Sequence, residues 1–421
     1  MTTVESNTLE TLSCRLCGAT VEAEPVHVCD QCFGPLEVRY PLESLRGRVT
    51  REMVESRPTD LWRYRELLPL EEVPRWGHGV GWTPLLPAPR LGAELGIDDL
   101  WIKVDSVNYP TQSFKDRVVA VALNRAREFG LDRVGCASTG NLANAVAAQA
   151  AAAGLEAWIF IPQDLEPEKI VATGVHGARV VRIDGIYDDV NRLCAEVSDR
   201  FGWGIVNVNL RPYYSEGSKT VAYEIAEQLG WRIPGNVVVP MAGGSLITKI
   251  EKGFHELGAV GLVDGSSQAR LFGAQASGCS PIVSALERGD TSVAPVRPDT
   301  IARSLAIGNP ADGPFAVQTM RRSGGGGAAV SDDEIREGIG LLARLEGVFT
   351  ETAGGVTVAA AGKLASQGRF ADADGPTVLC ITGNGLKTPE VARSTYELEE
   401  VIEPRLREVE RLAEAYAESS P

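Results

Sequence analysis

The sequence predicts an α/β protein in which helices cover parallel sheets on both faces, with a small cysteine-rich module at the N-terminus. Short apolar segments alternate with helix-like segments through most of the 421 residues, and this alternation is typical of parallel sheets. Hydrophobic residues make up 44% of the chain and charged residues 23%, as in an ordinary globular protein with a large core. Two C-x-x-C pairs near the N-terminus indicate a separate, smaller unit.

The two cysteine pairs are Cys14 with Cys17 and Cys29 with Cys32, and a glycine stands close behind each pair. In a reducing compartment, four such thiolates suit tetrahedral zinc. The eleven residues between Cys17 and Cys29 suffice for a hairpin of the zinc-ribbon type. We therefore expect a closed, structural zinc site, with His27 as a bystander. A redox pair or two unrelated turns would also explain the pattern.

The remaining chain divides by composition and by the alternation of elements. The other four cysteines stand among apolar or small residues and are expected to pack as small hydrophobes: Cys136, Cys194, Cys279 and Cys380. We predict a ribbon module (1–45), an arm (46–80), a larger domain (81–130 and 235–400), a smaller domain (131–234) and a C-terminal helix (401–421).

Seven short apolar segments are predicted as strands: 100–104, 133–137, 157–161, 179–183, 204–208, 236–239 and 377–381. Ligands of parallel sheets bind beyond the carboxyl ends of the strands, so the loops that follow these segments are the candidate sites. The glycine run 324–327 is interpreted instead as a flexible surface loop, because no suitable helix start follows it.

Lys115 is the candidate for covalent chemistry. It stands in the segment T-Q-S-F-K-D-R (111–117), where a helix is predicted to begin. The positive end of the helix dipole and the neighbouring Arg117 make its protonated form less favourable, so the amine can attack an aldehyde. The chemistry that most often needs such a lysine is covalent attachment of pyridoxal phosphate. A solvated lysine at a helix start is the alternative.

A second loop, S-T-G-N, lies between a predicted strand and an alanine-rich helix. Hydroxyls and backbone donors at a helix N-terminus form an anion site, so Ser138 and Thr139 are candidates to hold a substrate carboxylate. The side-chain amide of Asn141 is placed to donate to a phenolate oxygen of the cofactor. Ordinary helix capping would explain the same residues.

A third loop follows the segment 236–239 and opens another helix. Its small residues let a phosphate approach the backbone N–H groups: Ala242, Gly243, Gly244, Ser245 and Leu246. The pattern is neither a P-loop with its lysine nor a dinucleotide fingerprint, which favours a ligand with one phosphate.

A fourth loop, T-G-N-G-L-K (382–387), follows the last predicted strand. The hydroxyl of Thr382 is suited to contact a pyridine nitrogen without donating a full charge, which fits eliminations and replacements at side-chain carbons. A simple turn is the alternative. Together, the lysine, a single-phosphate loop, an amide and a hydroxyl match the parts of one cofactor, pyridoxal phosphate.

With these residues the chain resembles the threonine synthase family of fold type II pyridoxal-phosphate enzymes. The matching segments are W-T-P-L (82–85), S-F-K-D-R (113–117), S-T-G-N (138–141), E-G-S-K-T (216–220) and T-G-N-G-L-K (382–387). The stretch 207–217 resembles the branch found in cyanobacteria and some other bacteria. The resemblance implies a two-domain fold like the tryptophan synthase β subunit. It also implies conversion of O-phospho-L-homoserine and water into L-threonine and phosphate.

The resemblance also implies residue roles. Lys115 would carry the cofactor as a Schiff base beside Phe114, and Asn141 would contact the ring hydroxyl. The segment 242–246 would surround the cofactor phosphate, and Thr382 would lie at the ring nitrogen. Cations for the substrate phosphate would come from this group: Lys219, Arg211, Lys249 and Lys387. Many family members have N-P-x-R where this chain has R-P-Y-Y (211–214), and glycines where it has Ala242 and Ser245.

The net charge of −15 and the pI of about 4.9 argue against a nucleic-acid surface or an anionic membrane as partner. The first residues lack the profile of a signal peptide, so we expect a cytosolic protein, and a homodimer is expected at this size. Two alternatives stay open. One is a related β-replacement or deaminating enzyme, such as cysteate synthase or threonine dehydratase. The other is an inactive zinc-ribbon binding protein.

Overall fold

The computed structural model describes residues 11–138, 140–163, 167–185, 187–371, 374–393 and 401–419. Thr139, one of the candidate substrate residues, lies outside the described residues, as do the two ends of the chain. No helix in the described ranges is long and apolar enough to cross a bilayer.

The N-terminal module is a three-stranded antiparallel sheet. Its strands are β1 (Thr11–Cys14), β2 (Thr20–Glu22) and β3 (Leu36–Val38), in the order β2-β1-β3. Cys14 ends β1 and Cys17 lies in the turn to β2, whereas Cys29 and Cys32 lie between β2 and β3.

The larger sheet has six strands in the order β12-β11-β10-β13-β5-β4. All neighbours are parallel except β4, which pairs antiparallel with β5 at one edge. The strands are β4 (Leu85–Pro87), β5 (Leu100–Val104), β10 (Asn236–Pro240), β11 (Arg270–Ala276), β12 (Gly326–Val330) and β13 (Thr377–Ile381).

The smaller sheet is entirely parallel and has the order β8-β7-β6-β9. Its strands are β6 (Arg133–Ala137), β7 (Glu156–Pro162), β8 (Arg179–Ile183) and β9 (Gly204–Ile205). The α/β class predicted from the sequence is confirmed, and the limits of the two domains stay a prediction.

Sixteen α-helices occur in the described part of the chain. In the first half they are α1 (Leu42–Leu45), α2 (Arg51–Glu55), α3 (Pro89–Leu95), α4 (Lys115–Glu128), α5 (Asn141–Ala153), α6 (Pro167–Gly174), α7 (Tyr187–Phe201), α8 (Arg211–Glu216) and α9 (Thr220–Gln228). In the second half they are α10 (Ser245–Val260), α11 (Pro281–Glu287), α12 (Gly313–Arg322), α13 (Asp332–Glu346), α14 (Thr352–Ser366), α15 (Pro389–Ala392) and α16 (Leu406–Ser419).

Local sequence signals set several helix ends. Helix α5 ends at Gly154, whose φ of 66° is the left-handed conformation that glycine adopts without a steric cost. Helix α13 begins with a capping box, in which the Ser331 side chain accepts from the Glu334 N–H and Glu334 accepts from the Ser331 N–H. Gly154 is the signal in the sequence that marks the end of the alanine-rich helix α5.

The ribbon is packed into the body of the protein. Leu12, Leu36 and Val38 of its sheet share one apolar core with Val118 of α4 and Tyr213 of α8. Two further cores, one on each face of the six-stranded sheet, hold the larger body together. The ribbon therefore has a fixed position relative to α4 and α8.

The interpretation of the glycine run 324–327 as a flexible surface loop is wrong. Gly326 is the first residue of β12, and the whole strand pairs in parallel with β11. A Cβ at Gly325 would collide with the carbonyl oxygen of Leu271, so the close approach of two backbones requires a glycine there. The sequence reading also missed β4 and β11, and it made the strand at 204–208 longer than the observed β9.

Candidate functional site

Two of the candidate loops leave the same edge of the six-stranded sheet. Strand β10 is a parallel neighbour of β13, and β13 is a parallel neighbour of β5. Parallel neighbours have their carboxyl ends on one side, so the loop 242–246 and the loop 382–387 lie next to each other. The segment that leads to Lys115 follows β5 at the same edge.

The lysine loop is bonded directly to the loop after β13. The Phe114 N–H donates to the carbonyl oxygen of Thr382 at 2.9 Å, and Ser113 forms an isolated β-bridge with Gly383. Lys115 is the first residue of α4 and is partly exposed. The sequence placed Lys115 and Thr382 at one site from their chemistry, and the family resemblance added Phe114; the structure brings the three residues together.

The amine of Lys115 has a neighbour that the sequence reading did not identify. Its Nζ donates to the Tyr214 hydroxyl at 2.8 Å and lies 4.6 Å from the centroid of the Phe114 ring. Tyr214 comes from α8, in the R-P-Y-Y segment where many threonine synthases have N-P-x-R. The departure from the family pattern was the signal that this residue is special to the site.

Asp116 shapes the loop that precedes the lysine. Its carboxylate accepts from the N–H of Thr111 at 3.0 Å and from the Thr111 hydroxyl at 2.8 Å. Burial raises the pKa of Asp116 to about 6, although the hydrogen bonds from Thr111 act in the opposite direction. The turn before Lys115 is thus fixed by a buried carboxylate.

A buried carboxylate, Glu351, connects two of the loops. The Asn141 amide nitrogen donates to Oε1 and Oε2 of Glu351 at 2.9 and 3.1 Å, and the Glu351 N–H donates to the Gly383 carbonyl at 3.1 Å. Burial raises the pKa of Glu351, partly offset by the hydrogen bond from Asn141. A Cβ at Gly383 would collide with this carboxylate, so T-G-N-G needs its first glycine.

The role of Glu351 in the site was not predicted from the sequence. The only signal there is an acidic residue directly before α14, a helix of small residues, and such residues are common at helix starts. In the structure the Asn141 amide contacts this carboxylate, so the contact of Asn141 with the ring oxygen of a cofactor stays a prediction.

The loop after β10 has the geometry of a phosphate site. Gly244 has a φ of 91° and precedes the first turn of α10, so the cap residue offers no side chain to the free N–H groups there. A Cβ at Gly244 would lie 3.0 Å from the Cβ of Ala316, whereas Gly243 faces open space, with Ile307 Cδ1 at 4.0 Å. A small-residue loop at the start of a 16-residue helix fits the single phosphate of pyridoxal phosphate.

Two other candidates of the substrate site differ in how they are placed. Ser138 follows β6, and its hydroxyl accepts from the Gly140 N–H at 3.4 Å. Its own N–H donates to the Phe160 carbonyl at 3.3 Å, which holds the loop at the end of the smaller sheet. Thr139, its neighbour, is not described.

The four candidate cations have very different surroundings. Lys219 is fully buried, lies 2.8 Å from both Glu216 and Glu256, and stands 3.6 Å over the Tyr40 ring. A lysine enclosed in this way has no open side for a substrate, and we do not retain it as a phosphate ligand. Lys387 carries a buried Nζ with no hydrogen-bond partner, and burial lowers its pKa.

Arg211 and Lys249 lie beside the phosphate loop. Arg211 donates to Asp312 at 2.7 Å, and the N–H of Asp312 donates to the Gly243 carbonyl at 3.0 Å. Lys249 belongs to α10 and donates to Glu37 of the ribbon at 2.5 Å. Burial alone would lower the pKa of Lys249, but the carboxylates of Glu216 and Glu37 raise it. These two cations are positioned near the loop that holds a phosphate.

Behind Lys115 lies a buried cluster of charges that has no open side. Arg117 donates through Nε to Asp105 at 2.7 Å and through Nη2 to Glu224 at 2.7 Å, while Lys103 donates to Glu224 at 2.7 Å. Burial would raise the pKa of Glu224, but Arg117 and Lys103 lower it to about 2. This cluster ties α4 to the end of β5 and to α9.

The four ribbon cysteines form a compact cluster. Their Sγ atoms all lie within 4.8 Å of one another, with 3.5 Å between Cys14 and Cys32 and 3.7 Å between Cys17 and Cys29. Zinc–sulfur bonds of about 2.3 Å place tetrahedral thiolates about 3.8 Å apart. The N–H groups of Leu16 and Cys17 point at the Cys14 sulfur at 3.4 and 3.5 Å, as donors to a thiolate do. The donor set fits zinc.

Comparison with known proteins gives one family and consistent relatives. Residues 77–383 match the model of the family described as pyridoxal-phosphate dependent enzyme. A threonine synthase of Methanocaldococcus jannaschii is 36% identical over 382 residues, which is 90% of this chain and 93% of that protein. A threonine synthase of Methanosarcina acetivorans is 35% identical over 399 residues, 94% of this chain and 96% of that protein.

Solved structures agree on the fold. A maize serine racemase has a TM-score of 0.62 and 20% identity, and the match covers 75% of this chain and 93% of that one. A threonine deaminase of Solanum lycopersicum has a TM-score of 0.62 and 23% identity, covering 74% and 82%. At these identities the likeness concerns the fold alone.

Proposed function

This chain belongs to the pyridoxal-phosphate dependent enzymes and, among them, to the threonine synthases, and from that premise we propose how its residues divide the reaction. The enzyme is a lyase that converts O-phospho-L-homoserine and water into L-threonine and phosphate. The observation that carries the residue assignment is the position of the Lys115 amine, at the junction of loops that leave one edge of the sheet.

Pyridoxal phosphate is the cofactor. When bound, it supplies an electron sink that stabilises negative charge on the substrate carbons next to the amino group. We assign its covalent attachment to Lys115, with Phe114 beside the ring and Thr382 at the ring nitrogen. The backbone N–H groups of 242–246 hold its phosphate, and Asn141 contacts the ring oxygen.

Lys115 also moves protons. Its Nζ would accept and return protons at the substrate carbons. The Tyr214 hydroxyl, 2.8 Å from this nitrogen, accepts its hydrogen bond and orients it. Asp116 and Glu351 keep the loops on either side in place.

The substrate is held at two ends. Ser138, in the loop that follows β6, and its neighbour in sequence Thr139 bind the carboxylate through hydroxyls and backbone donors in this proposal. Arg211 binds the substrate phosphate, supported by Lys249, because both side chains line the same cleft as Ser245 of the phosphate loop. Lys387 lies near Glu351 and is not assigned to the substrate phosphate. Lys219 forms buried ion pairs with Glu216 and Glu256 that stabilise the fold.

The ribbon cysteines bind a structural zinc ion in this proposal. All four ligand positions are filled by thiolates, so the metal has no open position for substrate or water. The homodimer and the cytosolic location expected from the sequence stay predictions.

The test is a product analysis. Enzyme loaded with pyridoxal phosphate is given O-phospho-L-homoserine, and phosphate release is measured together with the amino acid formed. We expect one threonine for each phosphate. Parallel reactions with O-phosphoserine and with threonine itself separate the alternatives, because a replacement enzyme would use the former and a deaminating enzyme the latter. Turnover of either of these in preference to phosphohomoserine would overturn the proposal.

A further inference from the structure

A cleft lies where the ribbon meets the body of the enzyme. The ribbon contributes Arg15 and His27 to its walls, and the body contributes Arg211, Ser245, Lys249 and Asp312. Ser245 is the first residue of α10 and belongs to the phosphate loop. The cleft therefore borders the cofactor site, and one of its walls comes from the cysteine module.

The charge of this cleft is opposite to that of the whole protein. Three cationic side chains, those of Arg15, Arg211 and Lys249, face it together with the carboxylate of Asp312. Lys249 is also paired with Glu37 at 2.5 Å and with Glu216 at 2.6 Å, so the two arginines carry the positive charge that is left for a ligand. The chain as a whole has a net charge of −15. The positive end of the α10 dipole also points toward Ser245. This local excess of positive charge is suited to an anion.

Asp312 aligns the two arginines. Arg15 Nη1 donates to Asp312 Oδ1 at 3.1 Å, and Arg211 Nη2 donates to Oδ2 at 2.7 Å. Arg15 also lies flat on the Phe315 ring, 3.8 Å from its centroid. A guanidinium has five N–H donors, and each arginine uses one of them on Asp312. Both heads are thus held at fixed positions with donors left for a ligand in the cleft.

The cleft is one helical turn away from the reacting lysine. Helix α8 carries Arg211 toward the cleft and, three residues later, Tyr214 toward the Lys115 amine. The side chain that α8 places beside the lysine is a neutral hydroxyl, so the positive charge for a phosphate has to come from other residues.

We propose that Arg15 of the ribbon, together with Arg211 and Lys249, binds the phosphate group of the substrate, so that the cysteine module forms part of the active site. This inference rests on the proposed function. Arg15 stands between Cys14 and Cys17, so the fold of the cysteine cluster decides where its guanidinium lies. The ligand chemistry is a phosphate monoester that leaves as inorganic phosphate.

The experiment compares Arg15→Gln with the matched control Arg39→Gln. Arg39 is exposed at the end of the same ribbon and does not line the cleft. We expect Arg15→Gln to raise the KM for phosphohomoserine and the inhibition constant of inorganic phosphate by about tenfold or more, because charge-assisted hydrogen bonds are lost. The affinity for pyridoxal phosphate and the zinc content stay at wild-type values, and Arg39→Gln behaves as wild type. Arg15→Lys, which keeps the charge, recovers part of the phosphate affinity.

Three outcomes would overturn the inference. The first is an unchanged inhibition constant of phosphate in Arg15→Gln, and the second is an equal change in Arg39→Gln. The third is a loss of affinity for pyridoxal phosphate with normal inhibition by phosphate, which would assign the cleft to the cofactor. Phosphorus NMR of inorganic phosphate added to the holoenzyme measures the affinity of the cleft for phosphate without turnover. If the wild-type enzyme did not convert phosphohomoserine, the proposed function would be wrong. If phosphate binding were nevertheless lost in Arg15→Gln, the anion site would still be supported.

Discussion

Lys115 and Arg117 lie two residues apart at the start of one helix, and their surroundings are opposite. Lys115 is partly exposed, and within the described residues its amine makes one hydrogen bond, to Tyr214. Arg117 is completely buried and bonds to Asp105, Glu224 and two threonine hydroxyls. One motif therefore supplies a group that is free to react and a group that is fixed. Loss of the first should remove activity, and loss of the second should remove stability.

The largest effect is expected for Lys115→Ala. Turnover should fall at least about 10³-fold, because the amine that holds the cofactor and moves protons is removed. The free energy of unfolding should change by less than about 0.5 kcal/mol, since the side chain is partly exposed and makes no described ion pair. Phosphate release, the visible absorbance of lysine-bound cofactor and urea unfolding measure the three quantities.

Lys363→Ala is the control for this variant, because Lys363 is exposed on α14 and donates only to the Ala329 carbonyl in the described contacts. If Lys115→Ala kept the absorbance band and turnover, the comparison between the two residues would have no basis.

The opposite pattern is expected for Arg117→Met. Removal of one partner leaves Asp105 and Glu224 as buried charges with less compensation, which costs about 3–5 kcal/mol of unfolding free energy. Turnover per folded molecule should remain close to the wild-type value, provided that the assay is carried out well below the unfolding midpoint. Urea unfolding and activity on the same samples test this.

A matched exposed pair shows how much burial contributes. Arg192 and Glu196 lie four residues apart on α7 and form a 2.8 Å ion pair with both side chains well exposed. We expect Arg192→Met to cost less than about 0.5 kcal/mol, because water and salt screen such pairs. Equal costs for Arg192→Met and Arg117→Met would show that the buried cluster does not stabilise the fold in the way described.

The buried cluster also predicts acid sensitivity. The pKa of Glu224 is about 2 in the folded protein and 4.5 without the fold, so its contribution to stability is complete above pH 4.5. It is lost as the pH falls from 4.5 toward 2, and at most about 3 kcal/mol is involved. In Glu224→Gln this contribution is absent, so the stability of the variant should fall less steeply over the same range. Urea unfolding at a series of pH values measures both slopes, and parallel slopes would contradict the assignment.

Lys115 and Arg117 also show which parts of the fold and of the site can be predicted from the sequence. The prediction of Lys115 as the reactive lysine, the phosphate loop and the positions of seven strands follow from local patterns, because a strand followed by a small-residue turn and a helix has a known geometry. The partners of Arg117 lie at positions 83, 105, 220 and 224, and no spacing rule brings them together. Glu351 was missed for the same reason, since its contacts at Asn141 and Gly383 are distant in sequence.

The prediction of a surface loop at the glycine run 324–327 was wrong for a different reason. Consecutive glycines favour a loop by their backbone freedom, yet 326 and 327 pair with β11 in a strand. At Gly325, just before the strand, the neighbouring backbone leaves no room for a side chain. Steric demand from a neighbouring strand is a tertiary property, and the sequence does not carry it locally. Arg15 stands inside a C-x-x-C pair, and the spacing of the cysteines predicts a metal site without showing where the side chain between them points.

A smaller loss of turnover than in Lys115→Ala is expected when the hydrogen bond between the Lys115 amine and the Tyr214 hydroxyl is removed. This variant sharpens the difference between a free and a fixed cation. Tyr214→Phe removes the hydroxyl that orients Lys115, so we expect kcat to fall about tenfold, less than the loss of a general acid or base itself would cause. The KM should change little if the phosphate is bound by arginines. Tyr213→Phe is the matched control, since the neighbouring Tyr213 donates to the Glu24 carbonyl of the ribbon at 2.8 Å and does not contact the lysine. A rise in KM without a change in kcat would show that Tyr214 binds the substrate and that Lys115 needs no partner to stay reactive.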